Sequence, residues 1–264
     1  ASRLLTGSVT WYENALVLHF APISLIGNSI STAAFPRLTD RLAQGRTDLF
    51  RKEFIKVLRT MIWIALPVVV VSFFARAYLA RIIFARSSSE IAMIFGFLSV
   101  AIFFRIIYTI ISRYFYAHKD TKTPLYVSLF VIALNVFLAY TLSKPSAYGV
   151  AGLAIAQSIV ALTEVMILVA IMIQRDRKLF TGDFVQAITR MIAITGFSAF
   201  ATYVAIQFFP LLQTDTGFVL MIKLGIITSI TFMVHTAMSY VFDMPEARAV
   251  VQKVRTMALA VIKV

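Results

Sequence analysis

Arg105 and Glu164 carry the charges that stand deepest inside apolar surroundings in this sequence. An ionisable side chain surrounded by hydrocarbon costs several kcal/mol unless it is paired or wet, which marks it for structure or for function. Each lies about fourteen or fifteen residues from the polar gap preceding its apolar run, roughly 20 Å along a helix. The two runs cross in the same direction, so the groups share a depth. A buried ion pair locking two helices fits them, and so does a polar cavity that meets an anionic substrate or a coupling ion. Glu13 and Asn14 open the first apolar run, either as solvated interfacial groups or as members of such a site. His19 is deeper, placed to hydrogen-bond between helices or to face a cavity. His235 has Thr231 and Ser239 four residues to either side, a stripe suited to hydrogen bonds with a neighbouring helix. Pro67, inside the second run, removes a backbone hydrogen bond and is expected to kink its helix. Such kinks serve as gates in transporters, although ordinary membrane helices tolerate them too.

Conventional catalysis finds no footing here. The sequence offers no nucleophile–base pair and no glycine-rich phosphate loop, so no enzyme is expected. Its cysteine count of 0 excludes disulfides, thiolate metal sites and a cysteine nucleophile. His19, His118 and His235 fall in separate segments without ligand spacing, and no metal is expected.

The elements that must position these residues are membrane helices. With 60% hydrophobic and 14% charged residues, the chain is far from the composition of a soluble domain. Apolar runs near twenty residues match a bilayer core, and the absence of alternating strand patterns leaves helices as the only means of pairing the backbone in lipid. Seven spans are read at about 14–36, 60–84, 91–115, 124–142, 149–174, 187–210 and 217–242. Of the 25 Lys and Arg residues, 18 fall in the gaps on one side. Basic loops resist translocation, so that side is cytoplasmic, the N-terminus lies outside and the C-terminus inside. The net charge of +13 is accounted for by this bias and by attraction to anionic membrane lipids; nucleic acid is not expected. Ala1 in place of an initiator Met, with a span following almost at once, reads as a piece of a longer protein.

Two stretches read as interfacial. Over 37–58, Leu38, Leu42, Leu49, Phe54 and Leu58 recur at helical spacing among Arg and Lys, the pattern of a helix lying on the cytoplasmic face. From Asp243 a cap, Pro245 and Glu246 lead into a stripe of Val250, Val254, Met257 and Val261.

Between the third and fourth spans the chain reads Phe115-Tyr116-Ala117-His118-Lys119-Asp120-Thr121-Lys122-Thr123-Pro124. This resembles the F-Y-A-x-x-D-T-x-T-P loop of the MurJ/MviN lipid II flippase family, part of the multidrug/oligosaccharidyl-lipid/polysaccharide exporter superfamily. Gly7-Ser8-Val9-Thr10, Pro22 and Ile30-Ser31-Thr32-Ala33-Ala34-Phe35-Pro36 resemble its eighth helix. Ala43-Gln44-Gly45 with Asp48 resembles the loop that follows, and Tyr148-Gly149-Val150-Ala151-Gly152-Leu153-Ala154 with Ala156 the start of its twelfth helix. The resemblance implies an all-α polytopic fold, the second half of a fourteen-helix flippase. On that plan 1–174 is the C-terminal lobe, 175–242 adds helices thirteen and fourteen with a groove for the lipid tail over 187–242, and 243–264 is a cytoplasmic amphipathic tail.

The resemblance also implies an activity: alternating access that moves a lipid-linked peptidoglycan precursor across the bacterial inner membrane. A missing N-terminal lobe and cell-wall synthesis proteins are its implied partners. No cofactor is expected; a monovalent cation or the membrane potential is the implied driving force. The family usually carries an Arg and then an acid in helix eight, where this chain has Val17 and Phe20. Beside helix eleven, where some relatives bind sodium, Asn135 keeps an oxygen but Ala139 offers no carboxylate. Arg105 and Glu164 stand as substitutes. Export of another polyprenyl-linked glycan, or of a cation or drug, and a non-transporting scaffold for cell-wall synthesis are the alternatives.

Overall fold

The computed structural model describes residues 7–84, 88–144, 147–248 and 252, and they are almost wholly helical. Seven helical stretches are long and apolar enough to cross a membrane. The first, Ser8–Ala43, is built from α1 (Ser8–Pro22), a π-helical segment over Ile23–Asn28, and α2 (Ser29–Ala43). Then come α3 (Thr47–Phe74), the short α4 (Arg76–Ile83), α5 (Ser88–Ala117), α6 (Lys122–Leu142), α7 (Val150–Arg175), α8 (Gly182–Phe208) and α9 (Gly217–Val241). Pro22, which lacks an N–H, is the last residue of α1, and the π-helical turn begins immediately after it. The widened turn rests on α5: a Cβ added at Gly27 would come within 3.1 Å of Thr109.

α5 is the axis of the bundle, in contact with α1, the π segment, α2, α3, α4, α6 and α7. Its Leu98, Ile102, Ile106 and Ile110 are fully buried, one residue per turn on the face that meets its neighbours. Lipid is as apolar as leucine, so these helices are held by close packing and hydrogen bonds rather than by escape from water. Close packing is plainest where α6 turns into α7. A Cβ added at Gly152 would lie 2.1 Å from the Leu142 carbonyl oxygen, so only glycine admits this approach. α8 and α9 form a hairpin laid on α3, sealed by a polar seam. Thr202 and Thr231 share a hydrogen bond of 2.7 Å, Ser198 and His235 Nδ1 one of 3.0 Å, and Trp63 Nε1 donates to Ser239 Oγ at 2.9 Å. The stripe of Thr231, His235 and Ser239 thus meets α8 and α3. At the far end of the hairpin, Tyr78 and Arg81 of α4 donate to the carbonyls of Phe209, Leu212 and Gln213.

The structure departs from the sequence reading over 37–58. There is no separate surface helix: α2 runs to Ala43, the chain turns over 44–46, and α3 continues unbroken through Pro67 to Phe74. Leu38 and Phe54 are fully buried and Phe50 and Leu58 nearly so. Phe50 and Phe54 lie 5.7 and 5.3 Å from the Tyr114 ring of α5. The apolar stripe is a protein-packing face because α5 reaches far enough to cover it. The second span, read as 60–84, is divided at Ala75 between α3 and α4. Met244 and Ala247 tuck into the main core beyond α9; Val250, Val254, Met257 and Val261 lie outside the described residues.

Candidate functional site

Arg105 of α5 and Glu164 of α7 meet as a salt bridge, Nη1 to Oε2 at 2.6 Å. α5 and α7 pack along much of their length, and the equal depths expected from the sequence become a direct contact. The other carboxylate oxygen, Oε1, accepts from Ser128 Oγ of α6 at 3.0 Å. Glu164 is buried, with both oxygens engaged, whereas the Arg105 side chain is 24% exposed. Among the described residues Arg105 donates this single hydrogen bond, and its guanidinium lies 6.0 Å from the centroid of the Tyr108 ring. A guanidinium has five N–H donors in a planar fork. Most of that fork is therefore uncommitted, held at mid-span by a carboxylate that cannot itself be reached.

Of the remaining sequence candidates, His19 lies within electrostatic reach of Arg105, and the others are not hydrogen-bonded to it. His19 of α1 is fully buried, its ring edge-on to Phe20 at 5.3 Å and beside the Leu98 backbone of α5. Glu13 is exposed and Asn14 partly buried on α1, and neither is hydrogen-bonded to Arg105. Asn135 Nδ2 donates to Gln157 Oε1 at 2.7 Å, linking α6 to α7, seven residues and roughly 10 Å along α6 from Ser128. Pro67 is buried within continuous α3. Val17 and Phe20, where the resembling family carries charges, are 58% and 55% exposed.

Sequence reasoning missed Ser128 and Tyr108. Tyr108 had a signal, since it lies three residues from Arg105 on the same helical face. Ser128, a lone hydroxyl in an apolar run, had none.

The loop bearing the family-like motif closes on itself. Asp120 accepts from the Thr123 N–H at 3.0 Å and from its hydroxyl at 2.6 Å, and Arg175 of α7 donates to Asp120 at 2.6 Å and to Thr123 at 2.8 Å. These bonds, the Thr123 hydroxyl first and then its N–H, hold the Asp120 carboxyl well below its ordinary range. Arg51 of α3 reaches Asp176 at 2.5 Å beside it. The motif thus fastens the ends of α5, α6 and α7, and Pro124 falls in the first turn of α6 where its missing N–H costs nothing.

A family model described as lipid II flippase MurJ matches residues 1–226. The probable lipid II flippase MurJ of Borreliella burgdorferi is 25% identical over 224 residues, covering 83% of this chain and 43% of that protein. That of Bdellovibrio bacteriovorus is 23% identical over 223 residues, covering 82% and 42%. A solved structure of lipid II flippase MurJ in an inward closed conformation superposes with a TM-score of 0.73 over 89% of this chain and 47% of that one. At 21% identity this last likeness is one of fold. The chain spans less than half the length of the curated relatives it matches. With its family model covering most of the sequence and seven apolar helices in the family's fold, this multi-pass membrane chain belongs to the MurJ lipid II flippase family.

Proposed function

We propose that this chain is the C-terminal lobe and appended helix pair of a flippase that moves the lipid-linked peptidoglycan precursor lipid II across the bacterial inner membrane by alternating access. The observation that carries this reading is the half-committed guanidinium of Arg105 at mid-span. A pyrophosphate needs cationic, preferably bidentate, donors in a low-dielectric setting, and Arg supplies them. Glu164 positions that donor; Arg105 is the contacting residue. The basic end of the bundle is cytoplasmic, so the C-terminus is too. A further lobe supplied by the rest of the protein closes the cavity, and the α8–α9 hairpin offers the lipid tail its groove. A monovalent cation or the membrane potential drives the cycle, with Asn135 and Gln157 as amide oxygens for the former. Cell-wall synthesis proteins are the natural neighbours of such a transporter.

Complementation of a flippase-depleted strain by the full-length protein tests the reading. Arg105→Ala combined with Glu164→Gln, which leaves no stranded charge, should abolish rescue at unchanged protein level, and Glu164→Gln alone should weaken it. Rescue unaffected by both changes would replace the flippase with a scaffold. A second reading, export of another polyprenyl-linked glycan, is favoured by Val17 and Phe20, which put apolar groups on the exposed face of α1. It predicts that the unmodified protein is made but fails to rescue.

A further inference from the structure

A cavity of about 600 Å³ opens at the basic end of the bundle, between α3, the start of α8 and the turn beyond α9, and shares no residue with the Arg105 cluster. One wall carries Lys52, Lys56 and Arg59, which three- and four-residue spacing places on a single face of α3. It is also lined by Trp63 and Ile64, about two to three turns farther along α3 from the lysines, and by Phe184 in the first turn of α8. From Thr60 to Phe74, α3 has no charged residue, so the cavity passes from a cationic rim into an apolar floor. Two acids also line it. Glu246 is taken by Arg59, Nε to Oε1 at 2.7 Å, and Asp183 sits in the first turn of α8, where the helix dipole offsets its charge. Lys52 and Lys56 have no carboxylate partner among the described residues. Thr181, which also lines the cavity, caps α8 without a side-chain hydrogen bond, and the first-turn N–H groups are taken by its carbonyl only from Phe184 onward.

We propose that this cavity is a binding site for an anionic glycerophospholipid of the adjacent leaflet. The phosphate sits between Lys52, Lys56 and the α8 N-terminus, and one acyl chain runs along Trp63, Ile64 and Phe184. A purely apolar occupant would use the floor of the cavity and leave its two exposed lysines without a role. The amphipathic profile also disfavours a zwitterionic lipid, whose own cation would be brought against the lysines. Each lysine near an anionic headgroup contributes about 1 kcal/mol, so the pair gives a preference of about tenfold or more for anionic over zwitterionic lipid.

Trp63 provides the readout, because its indole lines the cavity and is fixed by Ser239. The full-length protein in vesicles of unlabelled phosphatidylcholine is titrated with dibrominated phosphatidylglycerol or dibrominated phosphatidylcholine, and the emission lost in Trp63→Phe identifies the Trp63 signal. Half-quenching at about tenfold less phosphatidylglycerol than phosphatidylcholine is expected, and Lys52→Gln/Lys56→Gln should erase the difference with an unchanged melting temperature. Equal quenching by the two lipids, or a preference that survives the double substitution, overturns the proposal. Should Trp63→Phe fail to fold, the ratio of the two lipids retained on the purified parent and on Lys52→Gln/Lys56→Gln, read by native mass spectrometry, decides the same question.

Discussion

Glu164 and Arg105 are unequal partners in one ion pair. The carboxylate is buried and saturated by Arg105 and Ser128, and the guanidinium is partly open with donors to spare. Removing one member of a buried pair strands the other, at a cost of about 3–5 kcal/mol, whereas replacing both with apolar groups of similar size is often close to neutral. Glu164→Ala should therefore lower the melting temperature in detergent markedly, while Arg105→Met/Glu164→Leu should melt within a few degrees of the parent and still fail to support growth of a depleted strain. A double variant that is stable and functional would reduce the pair to a fastener. The pairing itself was legible in the sequence, because depth follows from counting residues inward from each span's edge. Ser128 was not, since hydroxyls are common in membrane helices and nothing local marks the one that faces a carboxylate.

At the scale of elements, composition found the seven long apolar helices of the described residues, because twenty apolar residues in succession have few other uses, although it set the second span at 60–84 where α3 runs Thr47–Phe74. It failed where apolar stripes had to be given a partner. Leu38, Phe54 and Leu58 form the same pattern whether they meet lipid or α5, and periodicity does not distinguish the two. The π segment after Pro22 was equally hidden, since a proline in a membrane helix is accommodated in several ways. Gly152 shows how tightly these elements are fitted. Gly152→Ala would drive a methyl group into the Leu142 carbonyl, and overpacking of this kind costs typically 1–3 kcal/mol. The variant should melt several degrees lower and yield less folded protein from membranes, whereas Gly182→Ala, at a position with open space around it, should not.

For the molecule as a whole, the exposed faces of the bundle differ in chemistry. α6 presents Leu125, Leu129, Phe130, Val136 and Phe137, a surface made for hydrocarbon. The first crossing presents Ser24, Asn28, Ser29 and Thr32 alongside Val17 and Phe20. Hydroxyls and an amide in that number are disfavoured against lipid, so this face belongs to water or to a protein contact. Because the chain has no native cysteine, Ser24→Cys, Asn28→Cys and Thr32→Cys can be compared with Leu129→Cys and Val136→Cys in a cysteine-free full-length background. A water-soluble maleimide should modify the first three and spare the last two; the opposite pattern would turn the lobe around in the membrane. α5 carries Arg105 and also touches nearly every other helix. A guanidinium mounted on that column has no local route between the two leaflets: swinging the side chain alone would strand Glu164, and sliding the column would tear every contact around it. On the proposed flippase reading, exposure to one compartment or the other changes only when the whole lobe tips as a block, so the speed of turnover should be set by how fast that block rocks rather than by the chemistry of its charged passenger.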